Sequence, residues 1–169
     1  MKLDGTPITD AATRHLQAIK SLKSLSLRET ALSDDGIAWL TALENLHYLS
    51  LDRTRITDAA THHLAALTSL ESLSLKQTSI TDAGVQQLSS LKRLESLSLD
   101  ETNVSGAGLE RLESLKSLSL RATRITDSEL AGFTKLTSLR HLNLWGTRVN
   151  PMAHAALEQK IAGLHISRR

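Results

Sequence analysis

Cysteine is absent from the 169 residues. That excludes disulfides and thiolate metal sites and is compatible with any redox compartment. Aromatics are scarce as well, with two Trp, one Tyr and one Phe. Leucine supplies 33 residues, so the core must be a stack of near-identical aliphatic layers. No run of 18 apolar residues exists, which argues against a membrane-spanning helix. Residues 1–20 lack the basic-then-apolar pattern of a signal peptide. The chain as given therefore reads as soluble and without an address, with the cytoplasm favoured. A strong charge of one sign is missing too: the formal net charge of +2 is too small to argue for nucleic acid. The balance is uneven, however. Residues 1–101 carry 10 Lys+Arg against 13 Asp+Glu, and residues 102–169 carry 10 against 5.

What the chain does have is a repeat. Leu25/Leu27, Leu49/Leu51, Leu73/Leu75 and Leu97/Leu99 recur at steps of 24 residues. The step to Leu118/Leu120 is 21, and the step to Leu142/Leu144 is again 24. Polar and apolar residues alternate there, as in Ser24-Leu25-Ser26-Leu27, with the period of a strand buried on one face. A helix start follows. The column Thr9, Ser33, Thr57, Thr81, Ser105, Thr126, Asn150 holds only good N-cap residues. The next column is mostly aspartate (Asp10, Asp34, Asp58, Asp82, Asp127), whose charge suits the positive end of a helix dipole. In the last unit Pro151 takes that place, and proline is favoured at the first helical position.

One strand and one helix cannot close a core alone, so the units must stack, with strands on the inner side and helices on the outer. At about 4.8 Å per strand, eight strand positions predict a strip of roughly 30–35 Å. The short unit, 102–122, lacks nearly one helical turn, so strand register should persist while the outer side tightens.

These columns resemble leucine-rich-repeat proteins along essentially the whole chain. The variant is similar to the 24-residue "Thr-x-Ile-Thr-Asp-Ala-Gly-Leu" repeats of bacterial members. Threonine (Thr6, Thr30, Thr54, Thr78, Thr102, Thr123, Thr147) stands where the family's usual asparagine does. The resemblance implies an α/β fold, a right-handed leucine-rich-repeat solenoid with a parallel β-sheet on the concave side and helices on the convex side. It also implies protein recognition through the concave face and no enzymatic activity. A modest threonine ladder could replace an asparagine one, since a hydroxyl donates once and accepts.

A single domain over 1–169 is expected, with an N-terminal partial repeat at 1–5 and a cap-like repeat at about 147–169. Nothing polar covers the first layer of Leu3, Ile8, Leu16 and Ile19. The chain thus reads as the C-terminal piece of a longer array, or as one that self-associates through its uncapped N-terminal edge.

Candidate sites fall on the inner face. Its serines (Ser24/Ser26, Ser50, Ser72/Ser74, Ser96/Ser98, Ser117/Ser119) have no His–carboxylate pair to activate them and read as a wettable floor. The column Asp4, Arg28, Asp52, Lys76, Asp100, Arg121 alternates in sign and reads as a self-satisfied charge ladder. It breaks at Trp145. Around the break sit Arg121, Arg124, Arg140, His141, Asn143, Trp145 and Arg148, an area with one aromatic, several cations and no acid. Trp and Arg are the residues enriched in binding hot spots. Tyr48, with His47, Arg53 and Arg55, is a weaker second candidate.

The seven histidines give no metal set. His15 and His63 lie two repeats apart, and His62 and His63 should face differently on a helix. Trp39 occupies the same outer column as His15 and His63. The "GAG" at Gly106–Gly108 lacks the Lys-Ser/Thr of a phosphate loop. No cofactor is expected. The leading expectation is a binding module for a protein partner, possibly acidic, with nucleic acid unlikely. The alternatives are a polyanion binder using the basic C-terminal half and a structural spacer in a larger protein.

Overall fold

In a computed structural model of the chain, residues 1–167 are described. Ser-Leu-Ser triplets form four of seven short strands, and Tyr-Leu-Ser, His-Leu-Asn and His-Ile-Ser form the others: β1 (Ser24–Ser26), β2 (Tyr48–Ser50), β3 (Ser72–Ser74), β4 (Ser96–Ser98), β5 (Ser117–Ser119), β6 (His141–Asn143) and β7 (His165–Ser167). They pair in sequence order, all parallel, in one sheet. Leu25, Leu49, Leu73, Leu97, Leu118, Leu142 and Ile166 stand in one register. The 21-residue unit keeps that register, as the spacing predicts. At the near edge, residues 1–5 run alongside β1: Lys2 bridges Ser26, and Gly5 N donates to Arg28 O at 2.8 Å.

Returning chain segments lie across the sheet. They are α1 (Asp10–Leu16), α2 (Asp34–Leu40), α3 (Thr61–Leu64), α4 (Asp82–Gln87), α5 (Asp127–Leu130) and α6 (Pro151–Lys160), helped by 3-10 turns at Asp58–Ala60, Leu88–Ser90 and Ala131–Lys135. Ser105 departs from the expected cap column. No helix starts there, and the short unit has only a 3-10 turn at Leu109–Arg111. Three missing residues remove most of a turn, and Gly106 and Gly108, at φ 109° and 91°, take the chain out of helical geometry. In the next unit Phe133, fully buried, stands where Leu40 and Leu88 stand elsewhere.

The aliphatic columns close over one another. Leu27, Leu51, Leu75, Leu99 and Leu120 are fully buried, as are Leu32, Ile56, Ile80, Val104 and Ile125. The layers at the two ends differ. Leu3, Ile8, Ile19 and Leu22 are only partly covered, whereas Leu157, Ile161 and Ile166 are buried behind α6. The last two residues of the expected C-terminal repeat, 168–169, lie outside the described residues.

The threonine column points inward, as expected, but it forms no ladder between repeats. Each hydroxyl donates to the carbonyl three residues back: Thr54 to Leu51 at 2.6 Å, Thr78 to Leu75 at 2.6 Å, Thr102 to Leu99 at 2.6 Å and Thr123 to Leu120 at 2.6 Å. A hydroxyl on a short stem reaches only its own bend, and there it satisfies a carbonyl that the sheet leaves behind.

The aspartates do more than face a helix dipole: each clamps the next repeat. Asp34 accepts from Thr57 N at 2.8 Å and Thr57 Oγ1 at 2.6 Å. Asp10 does the same for Ser33, Asp58 for Thr81, Asp82 for Ser105 and Asp127 for Asn150. A Cβ on Gly36 would collide with the Asp10 carboxylate, and one on Gly84 with that of Asp58. These glycines make room for the clamp. Where the short unit has Gly106 instead of aspartate, the following cap residue Thr126 is bonded by Glu129 of its own helix, through its N–H at 3.2 Å and its hydroxyl at 2.5 Å. The Glu129 carboxyl is held below the usual glutamate range, first by the Thr126 hydroxyl and then by that of Ser128.

Candidate functional site

Residues at alternate strand positions stand on the open face of the sheet in three columns. The first is Ser24, Tyr48, Ser72, Ser96, Ser117, His141, His165; the second is Ser26, Ser50, Ser74, Ser98, Ser119, Asn143, Ser167. The third, two residues further on, contains Arg28, Asp52, Lys76, Asp100, Arg121 and Trp145.

The serine floor is less open than its composition suggests. Ser26 and Ser50 are buried, the later serines from Ser72 to Ser119 are half-exposed, and Ser24 at the near edge is exposed. The aspartates among the alternating charges serve mainly as acceptors for the next strand. Asp4 takes the Ser26 hydroxyl at 2.5 Å and Arg28 N at 3.0 Å. Asp52 takes the Ser74 hydroxyl and Lys76 N, and Asp100 takes the Ser119 hydroxyl at 2.5 Å and Arg121 N at 2.9 Å. The Ser26 bond is the main reason the Asp4 carboxyl sits below its ordinary range. Among the column's side chains only Arg28 and Asp52 pair directly, at 3.4 Å. The expected charge ladder is thus largely a ladder of carboxylates bonded to the next strand's hydroxyl and N–H. Its period is two repeats, and it ends where Trp145 follows Arg121.

A second ladder, unanticipated from the sequence, runs along the strand ends. Glu29, Arg53, Gln77, Glu101 and Ala122 all adopt φ between 53° and 57°, and Gly5 and Gly146 take positive φ in the same column. This is a region where glycine is favoured and other L-residues are penalised. Four of these residues are nevertheless long and polar, and they join hands. Arg53 Nη1 meets Glu29 Oε1 at 2.8 Å, Arg53 Nε donates to Gln77, and Gln77 Nε2 donates to Glu101. Glu101 Oε1 then accepts from Arg121 Nη2 at 3.0 Å. The guanidinium of Arg121 lies 4.5 Å from the centroid of the Trp145 ring.

This geometry corrects the picture around Trp145. The area does contain an acid, Glu101, which turns one edge of Arg121 inward. Its carboxyl is held below the usual range, first by Gln77 and less by Arg121. Arg121 Nε is buried without a hydrogen-bond partner. Trp145 is 42% exposed, and its backbone N–H is taken by Asn143 Oδ1 at 3.1 Å. His141, at the other end of β6, is exposed and lies about 13 Å from Trp145 by strand rise. Arg124 and Arg148 occupy one exposed column of the strand-to-helix bend, outside the three sheet columns, and neither side chain has a polar partner among the described residues. Arg140 is spent on the carbonyls of Thr137 and Leu139, both at 2.9 Å.

The Tyr48 group is not brought together. Tyr48, 39% exposed, begins β2, while Arg53 lies beyond its far end, tied to Glu29 and Gln77. His47 faces Glu71 at 3.9 Å, and Glu71 also holds Arg93 at 3.0 Å. On the helical side His62 and His63 do not diverge: their rings approach to 3.7 Å. Burial lowers the His63 pKa first, and His62 lowers it further. Trp39 is 42% exposed there. No described helix is long and apolar enough to cross a membrane.

A coil that spends one strand and one return segment per turn, and leaves a whole sheet face uncovered, belongs to the class of repeat scaffolds that present an extended surface. The chain belongs to the leucine-rich-repeat family: residues 7–166 match the family described as "leucine-rich repeat region". Two solved structures share the fold. One is an internalin (inlF) of Listeria monocytogenes, 23% identical, with a TM-score of 0.70, covering 98% of this chain and 52% of that one. The other is internalin C2 (inlC2) of the same organism, 20% identical, with a TM-score of 0.76, covering 99% of this chain and 79% of that one. The chain thus spans about half the length of the first internalin. No curated protein matches it. The family and fold are those of a protein-interaction scaffold rather than of an enzyme.

Proposed function

We propose that this chain is a non-enzymatic recognition module that binds a protein through the open face of its sheet, centred on Trp145. One observation carries the reading: the polar bonding that covers the face from Asp4 to Arg121 stops at an exposed indole already stacked on a cation. Arg121 and Asn143 adjoin the anchor, Arg124 and Arg148 lie at its edge, and His141 and Tyr48 offer separate contacts in the first column of the sheet. A ring whose one face is occupied by a guanidinium is a poor host for a second cation. With cations at the rim, the partner that fits brings an apolar side chain to the free indole face and carboxylates around it.

An unbiased peptide library selected against the protein tests this. The expected ligands are acidic with an apolar anchor, and Trp145→Ala should weaken them by about 2 kcal/mol or more, the size of a hot spot. Ligands that are basic, or that bind Trp145→Ala unchanged, place the site elsewhere.

The unpartnered Arg124 and Arg148 favour one competing reading, a polyanion binder. Its mark is an affinity for heparin or nucleic acid that falls steeply with salt and is insensitive to Trp145→Ala.

A further inference from the structure

We infer that Glu101 is a positioning residue for the Trp145 anchor, acting through Arg121; the inference rests on the proposed binding face. Three observations converge on it. Glu101 sits at φ 57° in a column whose ends are Gly5 and Gly146, so the backbone there prefers glycine. A side chain kept at such a place does something that glycine cannot. Glu101 uses both carboxylate oxygens, Oε2 for Gln77 and Oε1 for Arg121. Arg121, so held, lies against the indole while its Nε stays buried and unbonded. Left to itself, a guanidinium with a free N–H would swing to water, where all its donors are satisfied. Glu101 opposes that swing from one side, and the chain Gln77–Arg53–Glu29 holds Glu101 from the other.

The ring orientation of Trp145 is therefore set by residues as far as five strands away, none of which touches the indole except Arg121. Glu101 also sets what the ring accepts. By keeping a cation on one indole face it leaves the other for an apolar group and draws carboxylates to the surround. Released from Glu101, Arg121 would become a mobile surface cation and the indole a two-faced apolar patch with no charge preference.

The chain's two tryptophans make this measurable without any partner. In a Trp39→Phe background, Trp145 alone emits. Glu101→Gly removes the side chain while suiting the backbone, so folding should be retained, and circular dichroism checks that. A cation–π contact at an exposed site corresponds to a roughly two- to fivefold bias toward the stacked state. Glu101→Gly should remove that bias, raising acrylamide quenching of Trp145 to the level of Arg121→Ala. Glu101→Gln keeps an oxygen for Arg121 but turns its NH2 against the Gln77 donor, so its quenching should fall between the parent and Glu101→Gly. Quenching in Glu101→Gly equal to the parent, with Arg121→Ala raised, overturns the inference. So does Glu101→Gln exceeding Glu101→Gly, because the effect is then one of charge and not of position. Either failure leaves the binding face itself standing, since that reading is tested by peptide affinity and not by the spectrum.

Discussion

At the scale of single residues, the carboxylate of Asp58 shows how little of a repeat's stability is its own. Its two oxygens satisfy the N–H and the hydroxyl of Thr81 in the following unit, at 2.8 Å and 2.5 Å. Removing it leaves two half-buried donors without acceptors. Asp58→Ala should cost about 1–3 kcal/mol in urea denaturation, and Asp58→Asn should recover part of that. A change within about half a kcal/mol would mean that water replaces the clamp. The aliphatic layers answer to a different term. Leu73, 1% exposed in mid-array, should cost about 2–5 kcal/mol as Ala, because neighbours locked in register cannot collapse into the cavity. Ser98→Ala, on the half-exposed floor, should be close to neutral.

At the scale of elements, α5 differs from its siblings in supplying its own cap acceptor. Glu129→Ala should destabilise by about 0.5–2 kcal/mol, as for other lost caps. Acid should mimic part of that change. The folded carboxyl titrates lower than the unfolded one, so its contribution is present at neutral pH. That contribution is lost as pH falls from about 4.3 through the folded value. An unfolding series from pH 7 to 3 should show a shallower acid loss in Glu129→Gln than in the parent. Much of this level was legible beforehand. Strand centres, the inward threonines and the proline-started α6 follow from alternation, side-chain size and cap chemistry, all of which act within one repeat. Three things were not legible, because each depends on which atoms of the neighbouring turn come within reach. The aspartate column suits the helix dipole on sequence grounds, and in the structure its carboxylates bond the next repeat. The charges at 4, 28, 52, 76, 100 and 121 alternate in sign, yet the three aspartates among them serve chiefly as acceptors for the next strand's hydroxyl and N–H. The ladder through Glu29, Arg53, Gln77 and Glu101 was hidden because its signal is a left-handed backbone at residues not suspected of it. The glycines at 5 and 146 of that column were the available clue. Composition alone marks the area around Trp145, whereas nothing in the sequence ties it to Glu101, which lies one column outside.

At the scale of the whole molecule, the two ends of the sheet are unequal. Leu3, Ile8 and Ile19 have one neighbouring layer and partial cover, while Ile161 and Ile166 lie behind a ten-residue helix. A terminal repeat lacks half its interface. Amide hydrogen exchange should therefore be fastest around α1 and slow toward β3 and β4. Uniform protection in a proven monomer would contradict this, and protection at α1 that rises with protein concentration would point to association through that edge.

The clamps also give the coil a mechanical grain. Each runs one way, from a carboxylate to the following turn, and the series is interrupted once: Gly106 offers nothing to Thr126, and Glu129 closes that bond locally. Backbone pairing, packed leucines and the bonds of Asp100 and Glu101 cross this junction on the sheet side, but on the helical side no aspartate clamp does. Stretched by its ends, the coil should part there first, as a seam between two blocks each stitched internally. In a single-molecule pulling trace that would show as a first rupture releasing a length set by the position of the seam, and Gly106→Asp, despite its strained backbone, would be the substitution to try for sewing the seam shut.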